Sequence, residues 1–285
     1  MATLIEKKSS ERVVESIGER LIGKIDGGQP GPTIISLAGI HGNEPTGIKA
    51  IEHLLVQVKG YEKEFKGTFI GLKGNLKALN AGVRFIDEDM NRIWFTSILD
   101  KIRRTPINEL STSERKETKE VLEIIDPIIL NQNKEAPVIF ADLHTFSSAN
   151  GLFAISARTK HNVELLTSLK VPLIFGIEKA LHGTALKYVQ NAGNIGFAFE
   201  AGQHFSEKAE YNATAGLYAL MIAAGCLEKQ HIPDYASFAK FLAEQTKNLP
   251  DQVEFMYKHI IEEGDNFVMR PGFKNFDKVE KGDWL

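Results

Sequence analysis

Leu37-Ala38-Gly39-Ile40-His41-Gly42-Asn43-Glu44-Pro45 is the stretch on which the fold reading turns. The apolar run from Thr33 to Ile40 predicts a buried strand, since short apolar runs bounded by glycine and proline suit strands covered on both faces. That strand delivers a histidine and a glutamate, three residues apart, into a glycine-softened turn. Pro45 then suits the first position of a helix, where its missing N–H has no helical partner in any case. Open α/β sheets place their sites at such strand ends.

The bare His-x-x-Glu pattern is weak. It occurs four times, at His41/Glu44, His161/Glu164, His204/Glu207 and His259/Glu262. In a chain with eight histidines and many glutamates, roughly one chance occurrence is no surprise. Only the first pair sits at a strand end flanked by Gly39, Gly42 and Pro45. That context favours metal ligands over a solvated loop pair.

Outward from this stretch, Leu21–Ile25 predicts an earlier strand, with Gly27-Gly28-Gln29-Pro30-Gly31-Pro32 as the turn between them. Residues 1–19 are polar and mixed, and read as an irregular arm or an edge strand. Ile48, Ile51, Leu54/Leu55 and Val58 mark an amphipathic helix after Pro45. Thr68–Leu72 predicts the next strand, ended by Gly71 and Gly74. A helix from near Ser113 should kink or stop at Pro127. Val138–Ala141 is a short apolar strand running into Asp142-Leu143-His144, the second strand to release a histidine at its end.

Leu152–Ile155, Val171–Phe175 and Ile195–Phe199 are further strand candidates. Ala213–Leu227 and Tyr235–Lys247 are predicted helices. The alternation implies an α/β fold, a mixed central sheet with helices on both faces. The texture changes after Leu249-Pro250, where Val253–Ile260 alternates at period two. The expected organisation is one α/β domain over residues 1–250 and a small β-rich unit over 251–285.

Composition narrows the function classes. The 285 residues are 43% hydrophobic and 25% charged, the balance of a globular protein with a sizeable core. A net charge of −3 gives no basic footprint for nucleic acid. The single cysteine, Cys226, rules out an intramolecular disulfide and a multi-thiolate zinc site; it reads as a buried inert thiol. The start, Met1 to Lys8, does not resemble a signal peptide, and no apolar stretch reaches the roughly 18 residues of a membrane span. The expected address is the cytoplasm, with no membrane partner.

His41, Glu44 and His144 offer two imidazoles and a carboxylate, the catalytic kind of zinc set that leaves a fourth position open. The competing role for His144 is a core histidine bonded to a backbone carbonyl. Glu200 follows the apolar strand Ile195–Phe199. A carboxyl emerging from an apolar wall has its pKa pushed upward, which suits a proton shuttle; a surface salt bridge is the alternative. Arg84, Asn91 and Arg92 could grip an anion, because guanidinium groups bind carboxylates bidentately. On charge pattern alone, they equally answer Asp87, Glu88 and Asp89 in a solvated loop.

Four segments taken in order go further. His41-Gly42-Asn43-Glu44, Arg84-Phe85-Ile86-Asp87-Glu88-Asp89-Met90-Asn91-Arg92, Asp142-Leu143-His144 and Phe199-Glu200-Ala201-Gly202 resemble the succinylglutamate desuccinylase/aspartoacylase family. That family is a branch of the zinc carboxypeptidase-like hydrolases, and the resemblance spans about residues 33–275. It implies one zinc per chain on His41, Glu44 and His144, with Glu200 as general base and acid. It implies Arg84 polarising the scissile carbonyl, and Asn91 and Arg92 holding a substrate carboxylate. The implied reaction is hydrolysis of the amide bond of a small N-acyl amino acid that carries a carboxylate.

Two departures from the family pattern bear on substrate and assembly. The segment Lys187–Asn194 lacks the further arginine that goes with acylated aspartate or glutamate, and offers only Lys187. Met269–Phe276 resembles the opening of a C-terminal β domain, yet the sequence given stops at Leu285, so that unit is expected to be truncated or completed by a partner chain. An open β edge there leaves a homo-oligomer as a further expectation. Two alternatives stand beside the deacylase: a zinc carboxypeptidase acting on peptide C-termini, and a metal-binding protein without activity. No P-loop or Gly-x-Gly-x-x-Gly follows any strand, which argues against nucleotide binding.

Overall fold

The structure, a computed structural model, describes residues 18–131, 136–148 and 151–284. The arm expected at residues 1–19 therefore lies almost wholly outside the described residues. Eight strands form one mixed sheet: β1 (Leu21–Asp26), β2 (Gln29–Ala38), β3 (Lys66–Lys73), β4 (Val138–Phe146), β5 (Phe153–Ser156), β6 (Leu173–Phe175), β7 (Ile195–Gln203) and β8 (Gln252–Glu254). Their order is β1-β3-β2-β4-β7-β5-β6-β8. The centre, β3-β2-β4-β7, is parallel, while β1 joins β3 and β5 joins β7 antiparallel.

The helices are α1 (Thr46–Gln57), α2 (Leu76–Ala81), α3 (Thr96–Arg104), α4 (Ser113–Ile129), α5 (Lys160–Thr167), α6 (Ala185–Asn191), α7 (Glu207–Ala223) and α8 (Tyr235–Thr246). Side chains alternate across a strand, so each central strand feeds both layers. In β2, Ile34 and Ala38 enter the core beneath α1, α7 and α8, while Ile35 and Leu37 enter the one beneath α3, α4 and α6. In β4, Ile139, Ala141 and Leu143 go to the first core, and Val138 and Phe140 to the second. Each fully buried side chain such as Phe69 or Phe140 contributes roughly 2–3 kcal/mol against exposure. This is the two-faced α/β architecture expected.

Connectivity makes the crevice. From β2 the chain crosses through α1 to β3 on one side of β2. It then returns through α3 and α4 to β4 on the other side. Successive connections leaving in opposite directions open a cleft at the C-terminal ends of the two strands.

Several boundaries differ from expectation, each for a local reason. Gly71 does not end β3 but lies inside it, paired with Gly23 and Ser36. A Cβ there would lie 2.4 Å from Ile51 Cγ2, so the glycine lets α1 pack down onto the sheet. Nor does Pro127 stop α4, which runs on to the buried Ile129. Asp126 is pinned by Arg103 Nε at 2.9 Å and by the Tyr188 hydroxyl at 2.6 Å, and its carbonyl accepts from Leu130 N–H. Tertiary contacts thus hold the turn that contains the proline. Strand β4 runs past His144 to Phe146 because β7 continues beside it. Helix α7 spans Glu207–Ala223 rather than Ala213–Leu227, with Gly225 at φ +75° just beyond its end.

At 251–285, β8 pairs with β6 as the last strand of the main sheet rather than founding a sheet of its own. Among the described residues after Glu254 there is no further strand or helix. That segment still reaches the body: the Phe276 ring meets Phe153 edge-on at 5.8 Å, and Phe153 stacks on Phe146 at 5.5 Å. No helix among the described residues is long and apolar enough to cross a membrane.

Candidate active site

The turn after β2 is built to be tight. Gly42 N–H donates to Arg84 O at 3.2 Å, and a Cβ on Gly42 would sit about 2.0 Å from the Ala78 carbonyl carbon. Glycine therefore lets the turn carrying His41 and Glu44 press against α2. Beside it, parallel registry sets Leu37 opposite Asp142 and Ala38 opposite Leu143. The next pairing sets His144 opposite Glu200. Three adjacent strand ends thus bring His41, Glu44, His144 and Glu200 to one crevice.

His41, Glu44 and His144 are buried, and each offers a ligand atom within 4.8 Å of the others. Glu44 lies between the rings, with Oε1 3.0 Å from His41 Nδ1 and Oε2 3.0 Å from His144 Nδ1. Thr145 N–H also donates to Oε2, at 3.1 Å. The outer ring nitrogens face two further carboxylates: His41 Nε2 is 3.1 Å from Asp89 Oδ1, and His144 Nε2 is 3.0 Å from Asp142 Oδ2. Carboxylates accept only, so a hydrogen bond to Asp89 or Asp142 requires the proton on the outer nitrogen.

That arrangement fixes the chemistry of the donor set. With the proton outside, a neutral ring turns its Nδ1 lone pair toward an anionic oxygen of Glu44. Two such facing acceptors need either a second proton on each ring or a cation between them. Ligating histidines characteristically have this outer carboxylate, which sets the tautomer and ring orientation. The residues present fit a divalent metal of the zinc type.

The electrostatics are those of a strongly coupled cluster. Burial works to raise the Glu44 pKa, but hydrogen bonds and charge from His144 and His41 outweigh it and hold the carboxyl well below its ordinary value. Burial likewise opposes ionisation of Asp89, yet His41 and Arg84 keep it below the usual range. His144 is driven the other way. Burial disfavours its charge, while Asp142 and Glu44 favour it and win. Among the described residues no hydrogen bond supports the charge on Glu200. Burial pushes its pKa up to about 7; the carboxylates Glu44 and Asp142 add to that, while His144 and His41 oppose it. Its Oε2 is shut off from solvent with no hydrogen-bond partner.

These groups open onto a cavity of about 270 Å³ that Arg84, Asn91, Arg92, His204 and Glu178 also line. Arg84 is exposed on one side and donates to Asp89 Oδ2 through Nε at 3.3 Å and its terminal nitrogen at 3.0 Å, with Glu44 Oε1 3.6 Å away. Asn91 is buried and already engaged: its Oδ1 accepts from Ala185 N–H at 2.9 Å, and its Nδ2 lies 3.5 Å from Asp142 Oδ2. Arg92 is exposed and donates to Asn91 O at 2.7 Å. Lys187, the one cation of its segment, is exposed and lies outside the cavity lining.

Several contributors escape the sequence reading. Asp142 stands two residues before His144, so strand alternation puts both on one face, a signal the period-two rule could have used. His204 belongs to a His-x-x-Glu pair set aside as chance, yet it lines the cavity, with Thr145 Oγ1 2.7 Å from its Nδ1. Glu114, at the start of α4, accepts from Ile86, Asp87 and Glu88 N–H at 2.7, 3.1 and 3.2 Å and from Asn75 Nδ2 at 3.0 Å. It holds the loop that carries Arg84, Asp89 and Asn91. Burial opposes its charge, but these hydrogen bonds prevail and keep its pKa below the ordinary value.

The chain has a zinc carboxypeptidase-like α/β fold, with a His, Glu, His cluster at its strand ends. The model of the succinylglutamate desuccinylase/aspartoacylase catalytic domain matches residues 30–224, more than half the chain, and the protein belongs to that family. A curated succinylglutamate desuccinylase of Pseudomonas paraeruginosa is 36% identical over 64 residues, covering 22% of this chain and 19% of the relative. One from Shewanella piezotolerans is 29% identical over 112 residues, 39% of this chain and 31% of the relative. The matched stretches thus span less than a third of those relatives. Among solved structures, the succinylglutamate desuccinylase of Chromobacterium violaceum aligns with a TM-score of 0.66 at 17% identity, over 91% of this chain and 78% of that one. The Vibrio parahaemolyticus protein aligns at 0.59 and 18%, over 90% and 71%. These likenesses are of fold.

Proposed function

We propose that this protein is a zinc-dependent hydrolase that cleaves the amide bond of a small N-acyl amino acid. Family membership supports the reaction class. The observation that carries the site is the buried set of His41, Glu44 and His144, with outer ring nitrogens against the carboxylates of Asp89 and Asp142. His41 Nδ1, His144 Nδ1 and the Glu44 carboxylate would hold one zinc. When bound, zinc lowers the pKa of water and polarises a carbonyl oxygen.

The chain's own groups supply the rest. Glu200, raised to about 7, is balanced between accepting and releasing a proton near neutrality. It takes the proton of the attacking water and returns it to the leaving nitrogen. Arg84, beside Glu44 and open to the cavity, donates to the amide carbonyl oxygen as negative charge gathers there. Arg92 presents a guanidinium at the rim for the substrate's carboxylate. Asn91 has little amide capacity to spare, so it acts mainly by fixing the loop to α6 and Asp142. One cysteine and no membrane-spanning helix among the described residues are compatible with a cytoplasmic setting.

The test is release of free amine from a panel of N-acetyl and N-succinyl amino acids by the zinc-loaded protein. Turnover that falls by about a hundredfold or more in Glu200→Gln, with zinc content unchanged, is the expected result. No amine released from any member of the panel would refute the deacylase reading.

A further inference from the structure

One wall of the cavity has a charge that the proposed chemistry does not use. Glu178, in the single turn Ile177–Lys179 after β6, is 8% exposed and lines the cavity. Its Oε2 is buried without a hydrogen-bond partner, and among the described residues its carboxylate makes no ion pair. The same cavity is also lined by the apolar Ile155, Leu181, Leu186 and Ala198. Ile155 of β5 and Ala198 of β7 are register partners, and Ala198 is two residues before Glu200 on the same strand. Ile155, Leu186 and Ala198 form one small apolar cluster, and Ile177, the neighbour of Glu178, packs against it.

A carboxylate on an apolar wall is costly unless something charged or hydrogen-bonding meets it. Neither cavity arginine meets Glu178 among the described residues: Arg84 pairs with Asp89 and Glu44, and Arg92 donates to Asn91 O. The missing partner would therefore come with the ligand. Resting on the deacylase reading, we propose that Glu178 determines specificity by receiving a cationic side chain of the acylated amino acid. The substrate class is Nα-acyl amino acids of the lysine and ornithine kind. Their methylene stem would lie on Ile155, Leu186 and Ala198 and their ammonium on Glu178. An acidic side chain would instead bring a second carboxylate against Glu178 in a low-dielectric wall, which is repulsive.

The experiment compares kcat/KM for Nα-acetyl-lysine, Nα-acetyl-norleucine and Nα-acetyl-glutamate in the wild type and in Glu178→Gln, with thermal melts of both proteins. The wild type should favour lysine over glutamate by at least about tenfold. In Glu178→Gln the lysine-to-norleucine ratio should fall toward one, chiefly through KM, while Tm holds or rises. Preference for glutamate in the wild type would overturn the proposal, as would an unchanged ratio. A drop in Tm with equal losses on all three substrates would assign Glu178 a structural role instead. If none of the substrates turns over, the deacylase reading fails on its own account, and calorimetry with free lysine and free glutamate still decides the charge preference. Tighter lysine, lost in Glu178→Gln, supports it; equal or tighter glutamate refutes it.

Discussion

Two carboxylates in this crevice differ in their partners, since Asp142 meets His144 and Glu200 meets no hydrogen-bond donor among the described residues. Glu200 is raised from its ordinary 4.5 to about 7 mainly by burial, so the folded protein binds its proton more tightly than the unfolded chain does. Its contribution to stability is full below 4.5 and is lost as pH rises through about 7. Chelator-treated Glu200→Gln should therefore gain stability over the wild type as pH rises through that window, read from urea midpoints at several pH values. Asp142 acts through His144, whose outer nitrogen it holds. Asp142→Asn should weaken zinc binding by about 10–100-fold while leaving a folded protein, measured by competition with a metal indicator. Unaltered affinity would remove Asp142 from the metal's support. The histidines, Glu44 and Glu200 are legible in the sequence because strand-end placement marks them one by one. Asp89, Asp142, Glu114 and Glu178 are not, since acidic side chains are common and these act through partners that only folding brings near.

At the level of elements, the loop from Arg84 to Asn91 is held by the first turn of α4. Glu114 receives three consecutive backbone N–H groups there, an anion-binding hollow in which the anion is the protein's own. Glu114→Ala should cost about 2–4 kcal/mol, because buried donors lose a charged acceptor. It should also lower kcat/KM as Arg84 and Asp89 shift. The Glu114 pKa is held below its ordinary value, so its stabilisation is full above 4.5 and is lost as pH falls through the folded value. Glu114→Gln should flatten that acid-side loss, and an identical acid unfolding profile would contradict the assignment. Strand positions are readable from apolar runs, which report burial directly. Ends are less so: Pro127 sits inside α4 because Arg103 and Tyr188 hold Asp126, contacts invisible to local propensity.

For the whole molecule, two cores on either face of one sheet fix the three strand ends against each other, so the donor set exists only in the folded state. A metal that binds the native protein alone must raise its stability by mass action. Zinc should therefore raise Tm in a concentration-dependent way, with no rise in His144→Ala. The α/β class is legible because apolar runs and amphipathic segments alternate along the chain. The switch of direction at β2 is not, since strand order depends on pairings across about a hundred residues, Leu37 with Asp142 among them. At 251–285 the period-two pattern of Val253–Ile260 overlaps β8 only at Val253 and Glu254, and it does not give the place of β8 in the main sheet, for the same reason. The zinc content of protein purified without chelators is the sharpest test of the buried cluster. About one zinc per chain is expected in the wild type and near none in His144→Ala. Absence of zinc from the wild type, or equal zinc in both, would contradict the metal assignment.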